Sequence, residues 1–174
     1  MKNISIILFA FLFALASCDE DDPNVKETTT KDFAGEWWVT YSVDGDDVGG
    51  GHSEIITSNS AANIATEIIV SDYVSPTATS GNFWSYKVKA QTDPTNKSFS
   101  ANEVISSALY DGDPYDIGVN ILNGKIFPEG GHSKTGVVVD SIYFEIQFED
   151  DSTPYGTTYV VSGHKRTGFT ADDY

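Results

Sequence analysis

One cysteine, Cys18, stands among 174 residues, so no intramolecular disulfide can form. Basic side chains are scarce as well: ten Lys and Arg face 26 Asp and Glu, for a net charge of −16. A field of that sign repels phosphate backbones and anionic head groups. It excludes nucleic acid as a partner and surface electrostatics as a means of holding a membrane. The one long apolar run, Ile6 to Ala16, is shorter than the roughly 20 residues of a membrane-spanning helix. Signatures of chemistry are missing too. There is no Gly-x-Ser-x-Gly elbow. Ser53 and Ser133 each follow a histidine directly, and neighbours on an extended chain point to opposite faces, which is the wrong geometry for a nucleophile and its base. His52, His132 and His164 lack the close spacing of a zinc site. The acidic loops at Asp44, Asp46 and Asp47 and at Asp111, Asp113 and Asp116 depart from the calcium-loop template, where Tyr115 and Leu122 would occupy ligand positions. Glu36, Glu54, Glu67, Glu103 and Glu145 belong to so large a set of acids that no glycosidase pair stands out. The expectation is therefore no catalytic residue, no metal and no cofactor.

What is present begins with an address. Residues 1–17, "MKNISIILFAFLFALAS", have the basic start, apolar centre and small-residue end of an export signal. Leu15, Ala16, Ser17 and Cys18 resemble the lipobox of bacterial lipoproteins, which implies that Cys18 becomes an acylated first residue. Loss of Lys2 with the leader takes the net charge to −17. Acyl chains buried at about 0.8 kcal/mol per methylene then hold the protein to a membrane that its charge would otherwise shun. Residues 18–32, "CDEDDPNVKETTTKD", are polar and read as a flexible tether. Asp19, Glu20, Asp21 and Asp22 resemble the acidic export signals of surface-exposed Gram-negative lipoproteins, implying the outer membrane and its outer face.

From residue 33 to 174 the apolar period is two almost throughout, the mark of strands with one wet face. Trp37, Val39, Tyr41 and Val43 share one face of the first strand, and Trp38, Thr40, Ser42 and Asp44 share the other. Trp84, Tyr86, Val88 and Ala90 alternate in the same way, as do Ile142, Phe144, Ile146 and Phe148. Asn123-Gly124 predicts a tight hairpin. Only residues 101–110, with Val104, Ile105, Ala108 and Leu109 at helical spacing, read as a short helix. The chain is expected to form one all-β domain, a single antiparallel barrel whose closure removes exposed edges.

Gly35, Glu36 and Trp37 resemble the glycine-x-tryptophan pattern on the first strand of lipocalins and related calycin barrels. That resemblance implies that Trp37 packs at the closed end of the barrel, under a basic residue of the last strand, Lys165 or Arg166. A wider likeness covers nearly the whole mature chain. Cys18 with its acidic leader, "AGEWWVTYSVDG" at 34–45, "FWSYKVKA" at 83–90, "VDSIYFEIQFEDD" at 139–151 and "TTYVVSGHKRTGF" at 157–169 are together similar to a family of Gram-negative lipoproteins classed as lipid-binding putative hydrolases. The family's fold is a calycin-like barrel.

The function expected from these readings is that of a surface-anchored lipoprotein holding a lipid or other apolar or amphipathic ligand in its barrel. Trp84, Tyr86, Phe144 and Phe148 are the candidate pocket residues, and Gly35, Trp37, Lys165 and Arg166 the barrel closure. Two alternatives stand beside it. One is a non-catalytic structural or partner-binding envelope lipoprotein, since the same aromatics fill a ligand-free core equally well. The other is a hydrolase acting on a lipid or glycan.

Overall fold

The computed structural model describes residues 28–72 and 83–174. The export signal, Cys18 and the tether up to residue 27 lie outside the described residues. Eleven strands follow in chain order among the described residues: β1 (Gly35–Val43), β2 (Asp46–Asp47), β3 (Ser53–Asn59), β4 (Glu67–Ser71), β5 (Lys87–Asp93), β6 (Ser98–Ile105), β7 (Ala108–Tyr110), β8 (Asp113–Tyr115), β9 (Gly118–His132), β10 (Val138–Phe148) and β11 (Tyr159–Lys165). Eight of them join in the order β11-β10-β9-β6-β5-β4-β3-β1, and β11 pairs back onto β1 to close an antiparallel barrel. β7 and β8 form a separate hairpin at its side. Among the described residues the only helical element is a 3₁₀ turn, Thr170–Asp172.

Alternation decides what the barrel holds. Residues opposite each other across antiparallel strands share a face, so Tyr41, Val161 and Phe144 form one inward row. Val39, Gly163, Ile142 and Ile126 form the next. Ile55, Val70, Tyr86, Val88, Phe99, Val119, Ile121, Ile146 and Phe148 complete a continuous buried core.

The Asn123-Gly124 pair does not turn the chain. β9 runs straight through it, with Asn123 at φ +53° and one extra residue opposite Tyr143–Glu145 of β10. Asn and Gly tolerate the left-handed conformation that a bulge requires as readily as the one a hairpin requires. Asn123 Nδ2 donates to Glu145 Oε2 at 3.0 Å, and a Cβ on Gly124 would collide with the Phe99 carbonyl. The helix expected over 101–110 is also absent. Val104 and Ile105 pair with Val119 and Gly118, and Ala108–Tyr110 becomes β7. Barrel pairing of these β-branched residues outweighs a short helical period. The alternation that begins at Trp84 becomes a strand only at Lys87, because Ser85 takes φ +56° and breaks the extended run.

The two ends of the barrel differ. Thr28–Phe33 forms a turn at the end where β1 starts, with Asp32 paired to Lys97 at 3.0 Å and Phe33 buried beneath it. The opposite end, where β1 and β10 finish and β4 meets β5, carries most of the aromatic contacts described next.

Candidate functional site

At the closed end, Trp37 is fully buried and its Nε1 donates to Thr57 Oγ1 at 2.8 Å. Thr57 Oγ1 in turn donates to the Phe33 carbonyl, tying the entering turn to the tryptophan. Lys165 Nζ lies 5.6 Å from the Trp37 ring centre. Gly35 makes room for that arrangement: a Cβ there would sit 2.8 Å from Lys165 Cε and 3.4 Å from the indole.

Arg166 serves the other tryptophan. Its guanidinium carbon lies 5.6 Å from the Trp38 ring centre, on the outside of the barrel. Trp38 shares its face with polar neighbours, as the alternation implies, yet only 4% of it is exposed. The chain after β11 covers it. Tyr174 meets the indole edge-on at 5.7 Å, and Arg166 pairs with Glu36, Glu54 and Asp173. Asp172 pins the 3₁₀ turn, accepting from Thr135 N and Thr167 Oγ1 at 2.7 Å each, and these bonds hold its carboxyl below the usual range. Two of the three histidines, which lack close spacing in the sequence, come together under this segment: His52 stacks on Tyr174 at 3.6 Å, and His164 lies 6.4 Å from His52. Burial pushes both imidazoles down. Among the described residues no three His, Cys, Asp or Glu side chains group to hold a metal ion.

The opposite end is packed with aromatic rings. Trp84 lies flat on Phe148 (4.4 Å, 2°), Phe83 lies on Tyr41 (4.1 Å, 18°), and Tyr159 sits against Phe83, Trp84 and Phe148 at 5.2 to 5.8 Å. Tyr86 packs on Phe148, and its hydroxyl meets that of Tyr41 at 3.2 Å. Of the four candidate pocket residues, Trp84, Tyr86 and Phe148 therefore meet here. Phe144 lies deeper and packs on Phe99 at 5.7 Å.

Sequence reasoning missed the residue that holds this arrangement. Asp72, fully buried at the end of β4, accepts Trp84 N–H at 2.9 Å and Tyr86 N–H at 2.6 Å. Its carboxylate thereby fixes the short non-strand segment that carries Phe83 and Trp84. Burial pushes its pKa up to about 6, against the lowering effect of the backbone bonds. Burial likewise raises the Tyr41 and Tyr86 phenols.

Outside the Phe83–Trp84 step is a pocket of about 250 Å³ lined by Phe83, Trp84, Ser85, Tyr110 and Tyr115. The β7–β8 hairpin supplies the two tyrosines. Asp150 ties both walls together: it accepts Trp84 Nε1 at 2.9 Å and the Tyr115 hydroxyl. Burial and that carboxylate push the Tyr115 phenol up to about 12. A ligand here would meet aromatic rings of Phe83 and Trp84 on one side and of Tyr110 and Tyr115 on the other. Asp111, Asp113 and Asp116 are the conspicuous residues of this loop in the sequence, whereas Tyr110 and Tyr115 are the ones that line the pocket.

A family model described as "Lipid-binding putative hydrolase" matches residues 22–170, most of the chain. No curated protein sequence matches it.

Proposed function

The chain belongs to that lipid-binding family, and from this premise we propose that its barrel mouth takes up the apolar part of a lipid or similar amphiphile, in a protein held at the cell surface by acyl chains on Cys18. The observation that carries the reading is the aromatic cluster at this end of the barrel, with the pocket beside it. Large aromatics gather where the strands end and beside an open pocket, and apolar lining with a few placed polar groups is the usual character of a small-molecule site. The apolar chain enters where Phe83 rests on Tyr41 and Tyr159. Asp72 and the Tyr41–Tyr86 hydroxyl pair supply polar groups inside. At about 250 Å³ the pocket outside Trp84 falls below the roughly 300–1,000 Å³ of most ligand sites, so it accommodates a head group rather than a whole lipid.

The binding is tested with a neutral apolar dye, N-phenyl-1-naphthylamine, added to the purified protein. Saturable fluorescence enhancement, reversed by long-chain alcohols and weakened in Phe83→Ala, is expected. A dye signal that never saturates would refute the reading. Surface anchoring is a separate component of the proposal. It predicts an intact mass, for protein from its native host, equal to a chain starting at Cys18 plus acyl groups. A mass matching an unmodified chain would remove the anchor from the account.

A further inference from the structure

The geometry points to a second level of selectivity in the pocket formed by Phe83, Trp84, Tyr110 and Tyr115: it is a cage for a quaternary ammonium group, carried free or as the head of an amphiphile. The walls are four aromatic rings. Phe83 and Trp84 stand 5.7 Å apart at 54°, and Tyr110 and Tyr115 stand 5.6 Å apart at 40°, so each pair forms an angled wall rather than a flat stack. An aromatic face carries the negative end of the ring quadrupole, and several faces turned toward one space attract an organic cation that is too weakly hydrated to resist leaving water.

The polar ends of the rings are engaged elsewhere. Trp84 Nε1 and the Tyr115 hydroxyl both donate to Asp150, which fixes the walls and places an acidic side chain beside them. Asp111, Asp113 and Asp116 ride on the same hairpin region as the tyrosines, in a chain of net charge −16. An anionic head group would therefore be repelled where a cationic one is drawn in. The floor is rigid, because Trp84 is backed by Phe148 on one side and anchored by Asp72 through its backbone. The volume, about 250 Å³, accommodates a trimethylammonium group with the start of its chain. The lipid arm of this inference rests on the lipid-binding reading, whereas the cage itself does not.

Calorimetric titration of the purified protein with choline chloride, set against 3,3-dimethylbutan-1-ol, tests it. The alcohol has the same shape without the charge. Choline is expected to bind at least about tenfold more tightly than the alcohol. Tyr110→Ala should lose about fivefold or more, and Asp150→Asn a similar amount. Tyr110 is 65% exposed, so its truncation leaves the fold intact. Dodecyltrimethylammonium, below its micelle concentration, separates the sources. Tighter binding than choline with displacement of the dye identifies a lipid head group, and binding no tighter than choline identifies a free small cation. Equal binding of choline and the alcohol, or undiminished choline binding by Tyr110→Ala, would overturn the cage. If the dye binds and choline does not, the cage fails and the lipid site stands. If choline binds and the dye does not, the reverse holds.

Discussion

Trp84 lies parallel to Phe148, 4.4 Å away and within 2° of coplanar orientation, although neither the strand period nor the distance in sequence brings them together. The contact exists because Trp84 has left the strand. Ser85 at φ +56° turns the backbone, and Asp72 holds the turned segment by its N–H groups. Three independent restraints then act on one indole: the ring below it, the Asp150 carboxylate at its edge and Asp72 behind its backbone. Of these, Asp72 is buried, and burial raises its pKa.

The Asp72 pKa is raised from 3.8 to about 6 in the folded protein. A raised folded pKa means that the native state binds the proton more tightly, so the stabilisation is fully present below the unfolded pKa and is lost as pH rises through the folded one. Wild type compared with Asp72→Asn should therefore lose stability between about pH 4 and pH 7, by an amount on the order of 3 kcal/mol for a shift of roughly two pH units. The lost N–H acceptor in the variant adds a constant offset that does not change with pH. Denaturant unfolding of both proteins across this range checks it, and parallel stability curves would contradict it.

The adjacent tryptophans should both matter, for different reasons. Trp37→Ala opens a cavity in a fully buried site and removes the partner of Thr57 and Lys165, so a loss of about 3–5 kcal/mol is expected. Trp38→Ala should cost less, because the segment from Arg166 to Tyr174 that covers it can settle into the space. A Trp38→Ala and Tyr174→Ala double-mutant cycle should show coupling of about 0.5–1.5 kcal/mol for their edge-on contact. Denaturant midpoints of the four proteins provide the measurement, and strict additivity would place Tyr174 off the indole.

Much of the barrel was legible in the sequence, because a wet outer face and a dry inner one force a period of two on every strand. Ile142, Phe144, Ile146 and Phe148 all point inward as that period requires. Trp37 and Trp38 are assigned to opposite faces by the same rule. Burial of Trp38 was not legible, since its cover comes from a segment beyond the last strand that carries no periodic signal. The Asn123-Gly124 bulge was misread because a hairpin and a bulge ask the same conformational freedom of the same residues. The aromatic end was legible only in part. Trp84 and Phe148 are conspicuous as aromatics, but Asp72 is one of 26 acids, and only its burial against two backbone N–H groups distinguishes it.

The bulge predicts that Gly124→Ala is damaging. A hairpin turn exposed to solvent would accept the change at modest cost, whereas here the added methyl meets the Phe99 carbonyl and ring. Overpacking of this kind costs typically about 1–3 kcal/mol. Thermal or denaturant unfolding of Gly124→Ala checks the expectation, and a variant as stable as wild type would contradict the continuous β9 strand.

The central claim is that ligand enters at the Trp84 end and not at the Trp37 end, and backbone amide NMR shifts during titration with a twelve-carbon alcohol measure this most directly. The account predicts saturable shifts at Trp84, Tyr86, Tyr115, Phe148 and Tyr159, with Trp37, Lys165 and the segment covering Trp38 unmoved. Shifts centred on Trp37 or on the outer surface around Trp38, with the mouth silent, would contradict it.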